Sequence, residues 1–212
     1  IGPIRQVLIE TVTDQTEFLM NAIGYHPTVA DGFQFQSPSG ETTYAIGSKN
    51  YPYDSTFVFY RGEADPITYN IALACTGLGS MAIFVGLIGA VPAPARRKLR
   101  ALAVSLSVIY VLNLIRNVFI GITFGHQLTH VFPDVIISVF GLSDPRLVSY
   151  IVSDRILAQS ASVLALLVIV WLVVRELPEV LIVLEDVLYL ITRKEYDLGA
   201  ALGVDVPREQ TA

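Results

Sequence analysis

The sequence predicts an α-helical integral membrane protein that carries a small extracytoplasmic α/β segment, with at least three transmembrane helices and an interfacial C-terminal helix. Three observations point there. Of the 212 residues 53% are hydrophobic and only 16% are charged, with a mean hydropathy of +0.57; a soluble domain carries about 25% charged residues. Uncharged stretches of membrane-crossing length recur along the chain. The net charge of −5 is also confined to one place: the first 70 residues hold Arg5, Lys49 and Arg61 against eight acids and so carry all of it. This composition excludes a disordered chain and a nucleic-acid binder working through a basic surface. A single cysteine excludes a disulfide framework and a thiolate-rich metal site.

Residues 1–68 form the expected outer segment. Ile4, Val7, Leu8, Val12, Leu19, Ala22 and Ile23 recur at helical spacing and predict an amphipathic helix. The stretches 32–40 and 55–60 alternate as short strands between turn-rich sequence. The chain opens on Ile1 without a signal peptide, so an outside start calls for an earlier helix or a removed leader.

Residues 69–212 form the expected membrane-embedded core. Ile71–Val91 is 21 residues without a charge, enough for a hydrocarbon core of roughly 30 Å, and predicts a first span over about 69–91. Pro92 and Pro94 end it, and Arg96, Arg97, Lys98 and Arg100 follow. A second span is predicted over about 99–122, interrupted by Arg116, and a third over about 154–174. Val131–Leu142, broken by Pro133 and Asp134, is too short to cross and reads as re-entrant or interfacial. In 178–192 an apolar stripe of Val180, Val183, Leu184, Val187, Leu188 and Ile191 opposes Glu179, Glu185 and Asp186, which predicts a helix lying on the membrane surface. The positive-inside rule puts the Arg96–Arg100 cluster in the cytoplasm and the acidic segment, with the 125–153 loop, outside.

That topology brings three scattered residues to one level. Cys75 lies about 6 Å below the outer entry, Arg116 about 27 Å from the cytoplasmic side, and Arg155 opens the third span at the outer face. A thiol beside guanidiniums suits nucleophilic acyl transfer, because the cations favour a thiolate and then an oxyanion. A proton carrier is also needed; His126, His130, Asp154 or an activated water are the candidates. Each residue has a plainer reading as well. A lone buried Cys serves as a small hydrophobe, and arginines near helix ends snorkel to the interface. His126 and His130 are spaced for one helical face, but two ligands do not make a metal site. Gly77, Gly79 and Ser80 suit close helix packing and resemble no phosphate loop.

The run Ala74-Cys-Thr-Gly-Leu-Gly-Ser80 resembles the nucleophile segment of the exosortase/archaeosortase family of membrane cysteine transpeptidases. Arg116-Asn117 is similar to that family's second motif, and Arg155, in Ser153-Asp-Arg-Ile156, to its third. Bacterial exosortases have His at the third place; an Arg there is similar to the archaeosortase branch. The likeness covers roughly residues 65–175. It implies Cys75 as nucleophile with Arg116 and Arg155 as its catalytic partners, and neither metal nor other cofactor. It implies as clients secreted proteins of the surface-layer glycoprotein type, with a C-terminal Pro-Gly-Phe signal, one transmembrane helix and a basic tail. The implied reaction cuts near the signal and passes the new C-terminus to a membrane lipid through a thioester. A non-enzymatic membrane scaffold or transport subunit, or an intramembrane cysteine protease without lipid transfer, are the alternatives.

Overall fold

The structure is a computed structural model and describes residues 2–30, 34–36, 42–44, 55–61 and 64–206. These divide into two compact units, 1–77 with 112–163, and 78–111 with 164–212.

The first unit opens on helix α1, Gly2–Ala22, followed by strands β1 (Thr28–Ala30), β2 (Gln34–Gln36), β3 (Thr42–Tyr44), β4 (Thr56–Arg61) and β5 (Ala64–Asn70). The rest of the expected 32–40 strand lies outside the described residues. α1 forms where predicted, but on another face: Ile9, Val12, Thr13, Thr16 and Met20 are buried, while Ile4, Val7 and Ile23 are exposed. The two threonines fit an apolar interior because their hydroxyls donate to the carbonyls of Ile9 and Val12 one turn back, which removes the cost of burying them.

β1, β4 and β5 make one antiparallel sheet in the order β1-β4-β5, and β2 pairs with β3 in a second. β5 is not among the strands the sequence predicts, since Pro66 and two acids at 63–65 mask its alternation, and neither are the three-residue strands β1 and β3. Phe57 and Tyr69 stack across the β4–β5 pair with ring centroids 6.3 Å apart. A Cβ added at Gly125 would lie 2.5 Å from the Phe59 ring, and one at Gly121 would overlap Met20. Those two glycines, one helical turn apart, are what allow α1 and β4 to approach the helix they belong to.

That helix is α3, Ala95–Gly125, of which Leu112 onward lies in this unit. α4 (Pro133–Phe140) is an eight-residue helix within the expected non-spanning stretch, with Val135, Val139 and Phe140 exposed. α5 (Leu147–Tyr150) runs into a π-helical segment, Ile151–Ala158, and then into α6, Gln159–Glu176. A buried hydroxyl cluster fastens this segment to α3: Thr123 and Ser153 hydroxyls lie 2.7 Å apart, and Ser149 donates to the Thr123 carbonyl at 2.9 Å.

The second unit is built from α2 (Leu78–Ala90), the first part of α3, the later part of α6, α7 (Val180–Thr192) and α8 (Leu198–Leu202). Its core comprises Phe84, Ile88, Ile109, Val173, Leu177 and Leu181, among others. The Arg96–Arg100 cluster is tied down here. Arg97 grips Glu179 through two hydrogen bonds of 2.5 and 3.1 Å, and Arg100 meets Glu176 at 2.9 Å. Glu179, expected on the polar face of a surface helix, is instead buried against Arg97.

Among the described residues, two continuous helices are long and apolar enough to cross a membrane, Ala95–Gly125 with 31 residues and Leu147–Glu176 with 30. Both leave large apolar side chains outward, among them Val111, Ile115, Leu164, Leu167 and Trp171, the surface that lipid rather than water accommodates. The apolar run expected to cross over 69–91 is divided: β5 ends at Asn70, a one-turn 3₁₀ helix occupies Leu73–Thr76, and α2 has 13 residues. A helix of that length rises about 20 Å. The break falls at Gly77, whose φ of +77° is left-handed, a conformation that suits glycine.

Candidate active site

Cys75 therefore sits not inside a long helix but in the 3₁₀ turn between β5 and α2, closed by its own amide donating to the Ala72 carbonyl at 2.8 Å. Its carbonyl accepts two side-chain amides, Asn113 Nδ2 at 2.6 Å and Asn117 Nδ2 at 2.8 Å. These asparagines stand one turn apart on α3, so a single helix face fixes the Cys75 backbone. Asn117 is fully buried, and Tyr69 Oη lies 3.5 Å from its Oδ1. Gly77 completes the clamp: any Cβ there would come within 3.2 Å of Asn113. Gly79, by contrast, faces open space.

Beside the thiol, a cavity of about 470 Å³ is walled by Cys75, Tyr69, Arg116, Phe124, Tyr150 and Asp154, with Asp144 and Arg146 also lining it. Arg116 and Asp154 form an ion pair, Nη2 to Oδ1 at 2.5 Å. Arg116 Nε is buried without a hydrogen-bond partner, so this guanidinium has capacity left for a further acceptor. Asp154 lies in the π-helical segment. The wider turn re-aims side chains relative to an α-helix and recurs at functional sites. Arg146 donates to Asp144 through its Nε and backbone amide and holds that carboxyl below its ordinary range.

Of the residues singled out by sequence, Cys75 and Arg116 share this cavity and Arg155 does not line it. Arg155 keeps its Nε 3.8 Å from Asp154 Oδ2 with a side chain 68% exposed. Among the candidate proton carriers, Asp154 lines the cavity. His126 and His130 do not; the helix ends at Gly125, and His126 packs between the Tyr25 and Phe59 rings. Asn113, Tyr69 and Tyr150 were missed. Asn113 and Asn117 flanking Arg116 in an otherwise apolar run was the available signal.

The charge balance around the thiol differs from the expectation. Burial pushes the Cys75 thiol above its ordinary value; Arg116 works against this and the Asp154 carboxylate works with it. An arginine already paired to a carboxylate offers little net positive field. The resting thiol is therefore protonated, and a nucleophile made from it needs a base.

Membrane-length apolar helices and a clamped thiol, set in one cavity with an under-satisfied arginine–carboxylate pair, define a helical membrane protein with a thiol-centred pocket. Residues 1–144 match the family model for transmembrane exosortase, and the chain belongs to that family. It is 46% identical over 201 residues to Archaeosortase A of Haloferax volcanii, a match covering 95% of this chain and 60% of the relative. It is 37% identical over 189 residues to Archaeosortase A of Natronomonas pharaonis, covering 88% of this chain and 55% of that relative. The chain thus spans between half and two thirds of the length of these curated relatives. No solved structure matches it.

Proposed function

We propose that this chain carries the catalytic centre of a membrane-embedded cysteine transpeptidase of the archaeosortase type. Its clients are secreted surface proteins bearing a C-terminal Pro-Gly-Phe-type signal, and a membrane lipid is the acceptor. The observation that carries the reading is the convergence of Cys75, Arg116 and Asp154 on one cavity in a chain similar over most of its length to two archaeosortases. In this reading the protein is multi-pass, α2 contributes a third membrane helix, α7 lies at the interface, and the site opens at the extracytoplasmic face.

The chemistry follows from the charge balance. As the Cys75 sulfur attacks the scissile carbonyl, its proton passes to Asp154 and the carbonyl π electrons move onto oxygen. Neutralising Asp154 weakens its hold on Arg116, whose guanidinium then stabilises the new oxyanion. Collapse expels the C-terminal amine, which takes the proton back from Asp154, and leaves a thioester on Cys75. A lipid head-group nucleophile attacks that thioester and restores the thiol. Arg155, beside the outer oxygen of Asp154, tunes the carboxylate from outside the cavity.

Replacing Cys75 by Ala in cells should leave client proteins full length and unlipidated. Normal client processing in that variant would overturn the proposal. Mass spectrometry of the client C-terminus separates lipid transfer from simple hydrolysis.

A further inference from the structure

β5 does more than lead into the Cys75 turn. It is the edge strand of its sheet, paired with β4 on one side and with nothing on the other among the described residues. Ile71 N–H donates to the Ser55 carbonyl at 2.8 Å, and this fixes the phase of the ladder. In an antiparallel pair the hydrogen-bonding direction alternates, so Tyr69 and Ile67 face β4, while the N–H and C=O of Thr68 point to the outer edge. Pro66 lies where the pairing shifts register, between Ile67 opposite Phe59 and Ala64 opposite Arg61, an irregularity at which a proline's missing N–H is tolerated.

The cavity runs along that edge. Pro66, Ile67, Thr68, Tyr69 and Asn70 all line it, together with Cys75. A cavity resting on one face of a strand would touch alternate residues. Five in succession mean that it lies beside the backbone itself.

We propose that the outer edge of β5 is the substrate rail: an extended stretch of the client polypeptide adds beside β5 as a fourth strand, bonding the Thr68 backbone, and so carries its scissile carbonyl to Cys75. The inference rests on the transpeptidase reading and adds to it where the peptide lies. Main-chain pairing supplies affinity and register in this mode of recognition, and the client segment must then be extended and free of secondary structure as it enters. A peptide rail also explains why the nucleophile stands in a clamped turn directly after the strand: register on β5 sets which carbonyl meets the thiol.

The test uses the whole protein in membranes and a reporter client ending in a Pro-Gly-Phe signal, a transmembrane helix and a basic tail. Thr68→Pro deletes the outward N–H without removing a β4 bond. It is expected to raise KM for the reporter at least 10-fold while the pH profile of Cys75 alkylation stays in place; Thr68→Val, which keeps the N–H, should raise it less. Wild-type KM in Thr68→Pro overturns the rail and leaves the transpeptidase reading intact. Failure of the wild-type protein to process the reporter in a Cys75-dependent manner overturns that reading and takes the rail with it. If Thr68→Pro shifts the alkylation profile, disulfide trapping decides: Thr68→Cys in a Cys75→Ala background is paired with reporters carrying one cysteine at successive positions around the signal. Trapping at alternate positions supports an added strand, and trapping without alternation, or none, overturns it.

Discussion

Both units of this molecule contain an arginine–carboxylate pair that closes at 2.5 Å, yet the two pairs are built differently. In the second unit Arg97 holds Glu179 with two nitrogens and also reaches the Glu176 carbonyl at 3.3 Å. In the first unit Arg116 gives Asp154 one hydrogen bond, leaves its Nε unpartnered, and faces a cavity that also holds the thiol. A pair closed at both carboxylate oxygens has little left to offer and serves the fold. An under-satisfied pair in a cavity keeps bonding capacity for something that arrives later.

The contrast is breakable by substitution. Arg116→Ala should lower kcat/KM for client processing on the order of 10²–10³-fold, the range for losing one oxyanion donor, and, because it strands the buried Asp154 carboxylate, should also cost about 2 kcal/mol of stability. Asp154→Asn should lower it roughly 10²-fold or more, as for loss of a general base. It should at the same time speed Cys75 alkylation near neutral pH, because the charge that raises the thiol pKa is gone and Arg116 is released. The sign reverses for Arg116→Ala: losing the cation pushes the thiol further up, so the alkylation midpoint moves to higher pH. If both variants shift the midpoint the same way, the opposed-charge account of the cavity is wrong.

Arg97→Ala tests the other side. It strands the buried Glu179 and should cost about 2 kcal/mol of stability, below the ~3–5 kcal/mol of a fully buried pair because Arg97 itself is 41% exposed. The activity per folded molecule should stay near wild type, as read by burst titration of Cys75. A chemical defect without a stability loss would erase the distinction between the pairs. Gly125→Ala forces the Phe59 ring aside and should cost about 1–3 kcal/mol, the range for overpacking, read as a lower unfolding midpoint. Arg155→Lys, at a side chain largely in the open, should reduce processing less than ~10-fold, well below the loss at Arg116.

The same contrast explains what could be read from the sequence. That Cys75 and Arg116 lie close together was legible, because a helix converts sequence distance into depth, and both line one cavity. The long helices were legible from their apolar runs. The buried face of α1 was not, because Thr13 and Thr16 hide their polarity by bonding back to their own helix. The turn that holds Cys75 was concealed inside an apolar run, where only Gly77 marks the break. The pairing of the basic cluster with Glu176 and Glu179 was equally out of reach, since 76 or more residues separate the partners and no local pattern records it. Asp154 stood among several equal candidates until the cavity distinguished it.

In the proposed reaction Cys75 forms a covalent bond to client protein while Arg116 and Asp154 manage its proton and charge. Rapid acid quench of the wild-type protein with a reporter client, followed by mass spectrometry, should recover a thioester joining Cys75 to the client's new C-terminus. That adduct should vanish on hydroxylamine treatment and be missing from Cys75→Ala. Processed client accumulating with no adduct at any quench time, and equally from Cys75→Ala, would contradict the account.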